Sequence, residues 1–261
     1  MKRNMETSDS ISPRPAALEA RHLSLSWDGT HKIVQDVNLR VEVGETVCMV
    51  GRSGCGKTTI LHALAGLSTP MSGEVFVGGK VATGVPGQIS YMFQKDLLLP
   101  NKRVLDNVCL PLLVCGASKQ EAYKKARPLL GRFGLSGTEE MWPSQLSGGM
   151  RQRAAFLRTY LMGAEVMLLD EPFSALDAIT RRDLRQWFSN MCTELNIASL
   201  MVTHDVDEAV AMAHRIYVLG GSPAGIVGEV EVLPHSEKES GDFELTENFV
   251  STKRKVLDLL N

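Results

Sequence analysis

No apolar run in this chain of 261 residues approaches the ~20 residues that a membrane-crossing helix needs. Its five cysteines, at positions 48, 55, 109, 115 and 192, form no CxxC pair, and any pairing would leave one over. A disulfide framework or a cysteine zinc site is therefore not expected, and a reducing compartment suits the chain. A basic excess is missing too. The formal net charge is −2, which gives no support to a nucleic-acid-binding face. Lys2 and Arg3 are followed by the polar stretch 4–12, so no signal-peptide core is expected. There is no internal repeat and no low-complexity tract. Any membrane role must pass through a partner.

What is present is a pattern of alternating elements. Residues 1–17 are rich in Ser, Pro, Thr and charge and read as a disordered lead-in. Val37, Leu39, Val41 and Val43 alternate with polar residues, as in a strand with one buried face. Gly44-Glu45 turns the chain into Val47-Cys48-Met49-Val50, the pattern of a strand covered on both faces. Thr58 to Leu67 has helical periodicity. Ser118-Lys119-Gln120-Glu121 fits a capping box for a helix over Ala122 to Phe133, which Pro128 is expected to kink or end. About 96–150 thus reads as a mostly helical insert.

Strand patterns resume at Val166–Leu169, Ser199–Thr203 and Ile216–Leu219. Helical ones lie between them, notably Ile179, Leu184, Trp187, Phe188, Met191 and Leu195. Strands alternating with helices predict a parallel sheet in an α/β fold. The tail, 234–261, is polar up to Gly241. It ends in Phe249, Val250, Val256, Leu257 and Leu260, the pattern of a short amphipathic helix.

GRSGCGKTT, Gly51 to Thr59, lies between the Val47–Val50 strand and the helical pattern. Its glycines let successive backbone N–H groups curl around phosphate oxygens, and the helix start adds its positive dipole. Lys57 supplies a mobile charge for the outer phosphates. Thr58 offers its hydroxyl to Mg²⁺, and Thr59 is placed for a phosphate contact. Val166-Met167-Leu168-Leu169-Asp170-Glu171 is an apolar strand ending in carboxylates, at the strand end where α/β sheets bind ligands. Asp170 is expected to hold Mg²⁺ through water, leaving Glu171 to orient and deprotonate an attacking water.

With these two motifs stand Gln94, the LSGGM of Leu146 to Met150 before Arg151-Gln152-Arg153, Ser174-Ala175-Leu176-Asp177, and Val202-Thr203-His204-Asp205. In this set and order the chain resembles the ATP-binding-cassette family of transport ATPases, over about residues 18–233. The resemblance implies a P-loop NTPase fold, with a RecA-like core, an antiparallel β subdomain and a helical insert. It makes Gly51, Arg52, Ser53, Gly54, Cys55, Gly56, Lys57, Thr58 and Thr59 the Walker A loop. Gln94 becomes the Q-loop glutamine, reaching Mg²⁺ or the water.

Ser147, Gly148 and Gly149 become the signature, Asp177 part of the D-loop, Glu171 the catalytic glutamate and His204 the switch histidine. Trp27 stands where the family usually places an aromatic that stacks on adenine; core packing is the other reading. Cys55 is small enough for its place in the loop, and a bulky thiol reagent there is expected to block ATPase activity, with ATP protecting.

The signature helix start is a second anion site in a chain with one Walker lysine. The resemblance implies that two cassettes pack head to tail, the signature of one closing on ATP held by the other, and a homodimer is the simplest form. It also implies two transmembrane permease subunits, an extracytoplasmic substrate-binding protein, and a peripheral place on the cytoplasmic face of the inner membrane. MFQKDLLLP with LSGGMRQR is similar to the importer branch serving nitrate, sulfonate and taurine, although Asn101 replaces an aromatic common there. Leu97-Leu98-Leu99-Pro100 reads either as a groove for a partner helix or as insert core. Soluble relatives in DNA repair or on ribosomes are the alternative. Those usually show tandem cassettes or a long coiled coil, and this chain has neither.

Overall fold

The computed structural model describes residues 16–232 and 243–261. Of the lead-in expected over 1–17, only Ala16 and Ala17 are among them, and both are buried. Ten strands form one sheet in the order β5-β4-β1-β2-β10-β9-β3-β8-β7-β6. Their ranges are β1 Leu18–Ser26, β2 Lys32–Val41, β3 Thr46–Gly51, β4 Ser72–Val77, β5 Lys80–Val81, β6 Ser90–Met92, β7 Val166–Asp170, β8 Ala198–Thr203, β9 Arg215–Gly221 and β10 Ala224–Glu231. From β9 to β6 all neighbours run parallel, whereas β1 is antiparallel to both β2 and β4. The two halves meet where β10 pairs with β2 at Ala224 and Val34. The parallel core and the antiparallel arm are those expected.

β3 explains the layering. Its six residues are all buried. Val47 and Met49 enter one core with Ile60, Leu61 and Leu64 of α1 (Lys57–Leu64) and the inner face of the arm, including Leu18, Leu23, Val34 and Val37. Cys48 and Val50 enter a second core, under the helices of the other face. That face carries α2 (Val104–Val114), α3 (Lys119–Arg132), α4 (Gly148–Tyr160), α5 (Ala178–Glu194), α6 (Val206–Met212) and α7 (Glu247–Leu260). Each fully buried aliphatic side chain contributes about 1.5–3 kcal/mol over its exposed state.

The capping box opens α3 as expected, with Ser118 and Glu121 each accepting from the other's backbone N–H. Pro128 does not end that helix, which runs on to Arg132. Pro128 lies on the exposed side, where the carbonyl it leaves unbonded meets water. Ala126, Leu130 and Phe133 meanwhile pack into the core and hold the turn. The tail helix is α7, of 14 residues, with Phe249 and Val256 buried and Val250 and Leu257 exposed. Residues 234–242 of the expected tail lie outside those described.

Parallel register aligns the strand ends. Val50 pairs with Thr203, Asp170 with Val202, and Met92 with Leu169. The chain after β3, β6, β7 and β8 therefore emerges at one sheet edge, and that edge carries the site.

Candidate functional site

Gly51 to Gly56 curl between β3 and α1, with Gly54 at φ +81° and Gly56 at φ +102°, a region side chains rarely occupy. Gly56 has a second constraint, since a Cβ there would lie 2.8 Å from Val34 Cγ2. No side chain caps α1. Its first N–H groups and dipole are thus presented to an anion. Lys57 is 6% exposed, and its ammonium donates to the carbonyls of Gly51 (2.8 Å) and Arg52 (3.1 Å). Ser53, Gly54, Gly56, Lys57, Thr58 and Thr59 floor a cleft of about 280 Å³, with Trp27, Ile33 and Glu171 on its walls. Trp27 is 78% exposed, so it is not core.

Arg52 and Cys55 turn away. Arg52 Nη2 donates to Leu260 O at the end of α7 (3.2 Å). Cys55 packs under the strand end, where a Cβ on Gly51 would lie 2.8 Å from its Sγ.

Asp170 is 8% exposed and its two oxygens have different partners. Thr58 Oγ1 donates to Oδ1 (3.3 Å) and the Tyr91 hydroxyl to Oδ2 (3.1 Å). Burial pushes the Asp170 carboxyl up, against these two hydrogen bonds. It pushes the Tyr91 phenol up strongly as well, with the Asp170 charge adding to the shift. A hydroxyl and a buried carboxylate at the loop end form a hard-oxygen donor pair of the kind Mg²⁺ takes alongside phosphate and water. Among the described residues no group of three or more His, Cys, Asp or Glu could hold a metal ion.

Glu171 follows β7 at φ +43°, its N–H donating to Val202 O (3.0 Å). His204 Nδ1 lies 3.1 Å from its Oε2, and Gln94 Nε2 donates to the same oxygen at 3.4 Å and to Ser174 Oγ at 3.3 Å. The loop bearing His204 is braced from behind. Thr203 Oγ1 donates to Glu208 Oε2 (2.8 Å), and Arg181 Nη1 pairs with Asp205 Oδ2 (3.5 Å). Arg181 Nη2 also donates to Leu176 O, tying the 174–177 segment to the loop of His204 and Asp205.

Four expected residues lie elsewhere. Ser147 caps α4, accepting from Met150 N–H (3.2 Å), and Gly148 and Gly149 form its first turn. A Cβ on Gly148 would lie 3.1 Å from Leu176, and one on Gly149 3.2 Å from Thr180. Asp177 caps α5 by accepting from Thr180 N–H, which holds its carboxyl below the ordinary range. None of the four lines the cleft. Of the four leucine-segment positions, Leu98 is buried, as the core reading has it, while Leu97 and Leu99 are exposed.

Tyr91, Arg181 and Glu208 carry site geometry that sequence reasoning did not assign, and Ser174, read only as part of the 174–177 motif, accepts from Gln94. For Tyr91 the available signal was a phenol three residues before Gln94, between Ser90 and Met92 of a short strand.

A model of the ABC transporter family matches residues 34–174. The chain belongs to that family. The formylaminopyrimidine import ATP-binding protein ThiZ of Halalkalibacterium halodurans is 35% identical over 243 residues, covering 93% of this chain and 95% of that protein. The nitrate import ATP-binding protein NrtD of Synechococcus elongatus is 36% identical over 235 residues, covering 89% and 86%. Among solved structures, the dimeric ATP-binding cassette MJ0796 in a post-hydrolysis state bound to ADP and Pi is 28% identical with a TM-score of 0.70, covering 83% of this chain and 99% of that one. As an ABC cassette the chain is an ATPase. Among the described residues no helix is long and apolar enough to cross a membrane.

Proposed function

We propose that this cassette is the energy-coupling ATPase subunit of an importer for a small anion such as nitrate, a sulfonate or taurine. The observation that carries its chemistry is the meeting of His204, Gln94 and Glu171 at a cleft floored by the Lys57 loop. Relatives named for import of nitrate and of aliphatic sulfonates support the cargo class.

In this reading Lys57 exchanges its loop carbonyls for the outer phosphates of ATP. The backbone of Gly51 to Gly56, with Thr59 and the start of α1, cradles the rest. Trp27 stacks on the adenine ring. Thr58, Asp170 and Gln94 would hold Mg²⁺, which neutralises phosphate charge when bound. Glu171 takes the proton of the attacking water, a role typically contributing about 10²–10⁴-fold. His204 fixes that carboxylate and reaches the γ-phosphate, while Gln94 orients the water.

The cleft lacks the signature residues, which supports completion in trans. Two copies pack head to tail with Ser147, Gly148 and Gly149 of one on the nucleotide of the other, and each Asp177 lies in the D-loop between them. Closure with ATP and parting after hydrolysis drive two permease subunits, met at the exposed Leu97 and Leu99. An extracytoplasmic binding protein delivers the cargo, and the chain works at the cytoplasmic face of the inner membrane.

The test is purification of tagged Glu171→Gln from detergent-solubilised membranes with ATP present. A stoichiometric multi-span membrane protein is expected. Only ribosomal or DNA-repair partners would refute the transport role.

A further inference from the structure

In the proposed function Gln94 senses the nucleotide held by its own chain, and Ser147 reaches the one held by the partner. The two are joined by one side chain that neither motif contains. Arg158, near the C-terminal end of α4, donates from Nη1 to Leu97 O (2.7 Å) and from Nη2 to Asp96 O (2.5 Å). Both acceptors are main-chain carbonyls two and three residues beyond Gln94. Arg151 lies seven residues earlier, on the same face of α4, and its Nε sits 3.3 Å from Asp96 Oδ2. Asp96 in turn accepts from Leu98 N–H through Oδ1 (3.0 Å).

The gripped segment is held in a costly shape. Leu97 has φ +46°, a left-handed conformation that a leucine avoids unless its surroundings impose it. The planar guanidinium spans these consecutive carbonyls as an ammonium cannot, and Asn107 holds Leu99 beside them. The result keeps Leu97 half out of the fold while Leu98 is buried. Arg158 thus meets three things: the setting of Gln94 at Glu171, the presentation of Leu97, and the helix whose first residue is capped by Ser147.

We infer that Arg158 is a positioning residue that locks the Gln94–Leu97 segment to α4, so that Gln94 and the signature end of that helix change position together. The inference rests on the ATPase reading above. Arg158 does not line the cleft above the Lys57 loop. Its loss leaves the Lys57 loop intact, because no Walker A residue bonds to it.

The test compares wild type with Arg158→Lys, Arg158→Met and the double variant Arg158→Lys/Leu97→Gly. It measures MgATP binding by fluorescent-nucleotide titration, kcat and KM, melting temperature, and ATP-driven dimerisation in a Glu171→Gln background. Arg158→Lys is expected to bind nucleotide within about twofold of wild type while kcat falls about tenfold or more, with dimerisation needing more ATP. Leu97→Gly removes the cost of the left-handed conformation and is expected to restore kcat by about threefold in the double variant.

Unaltered kcat and dimerisation in both Arg158 variants would overturn the inference. So would a fall in kcat matched by an equal loss of folded protein in Arg158→Lys, which would make Arg158 a packing residue. A wild type that neither hydrolyses ATP nor dimerises with it would overturn the ATPase reading itself. An active wild type with unaltered variants overturns the inference alone.

Discussion

His204 Nδ1 stands 3.1 Å from Glu171 Oε2, and the two residues follow adjacent parallel strands. Strand register brings them together. The left-handed turn at Glu171 then aims the carboxylate out of the sheet edge, at a cost of order 1–3 kcal/mol. The core beneath, including Leu168 and Leu169, sustains that cost.

His204→Ala removes the partner that orients Glu171 without touching the phosphate loop. Steady-state ATPase kinetics should show kcat lowered by about 10–100-fold with KM changed little. A raised KM with unchanged kcat would make His204 a binding residue only.

Tyr91→Phe strips the donor from Asp170 Oδ2 inside a buried site. Leaving that oxygen unpaired costs about 1–3 kcal/mol, visible as a lower melting temperature. Nucleotide titrations at varied Mg²⁺ should show a several-fold higher Mg²⁺ requirement. An unchanged requirement would confine Tyr91 to packing.

The parallel core was legible because its strands are covered on both faces: Val47–Val50 and Val166–Leu169 are apolar throughout. The motif residues were legible because phosphate chemistry demands Gly, Lys and carboxylates at fixed spacing. β1, β4 and β10 were not, since Gly73, Gly225 and Gly228 interrupt the apolar pattern of the latter two, and long-range pairing decides their place. Pro128, expected to kink or end α3, does not end it, because Leu130 and Phe133 are held by tertiary packing that the local rule leaves out. Tyr91, Arg158, Arg181 and Glu208 were hidden for another reason: each acts through a partner roughly 5 to 80 positions away, a separation that only the fold closes.

Glu208 supplies a pH test. It is buried against Thr203 and Arg181, and burial pushes its carboxyl above the ordinary value of 4.5. The folded chain therefore keeps this proton to higher pH than the unfolded chain does. The group's contribution is full below the unfolded value and is lost as pH rises through the folded one. Melting of Glu208→Gln relative to wild type should thus improve as pH rises above the ordinary carboxylate value. A difference that stays flat or worsens would contradict this.

Cys55 packs beneath Gly51 rather than in the cleft. A bulky maleimide can occupy that position only by displacing the phosphate loop. Labelling should abolish ATPase activity, and saturating ATP should slow it. Stoichiometric labelling of Cys55 with full activity retained would show that the loop tolerates displacement.

In the proposed cycle the site is completed by a second chain and emptied by Glu171-dependent hydrolysis. Light scattering of purified Glu171→Gln with MgATP tests it most directly, set beside Glu171→Gln/Ser147→Arg. The account predicts a stable ATP-dependent dimer for the first and a monomer that still binds ATP for the second. A Glu171→Gln chain that stays monomeric at saturating ATP, or that turns ATP over at the wild-type rate, would contradict it.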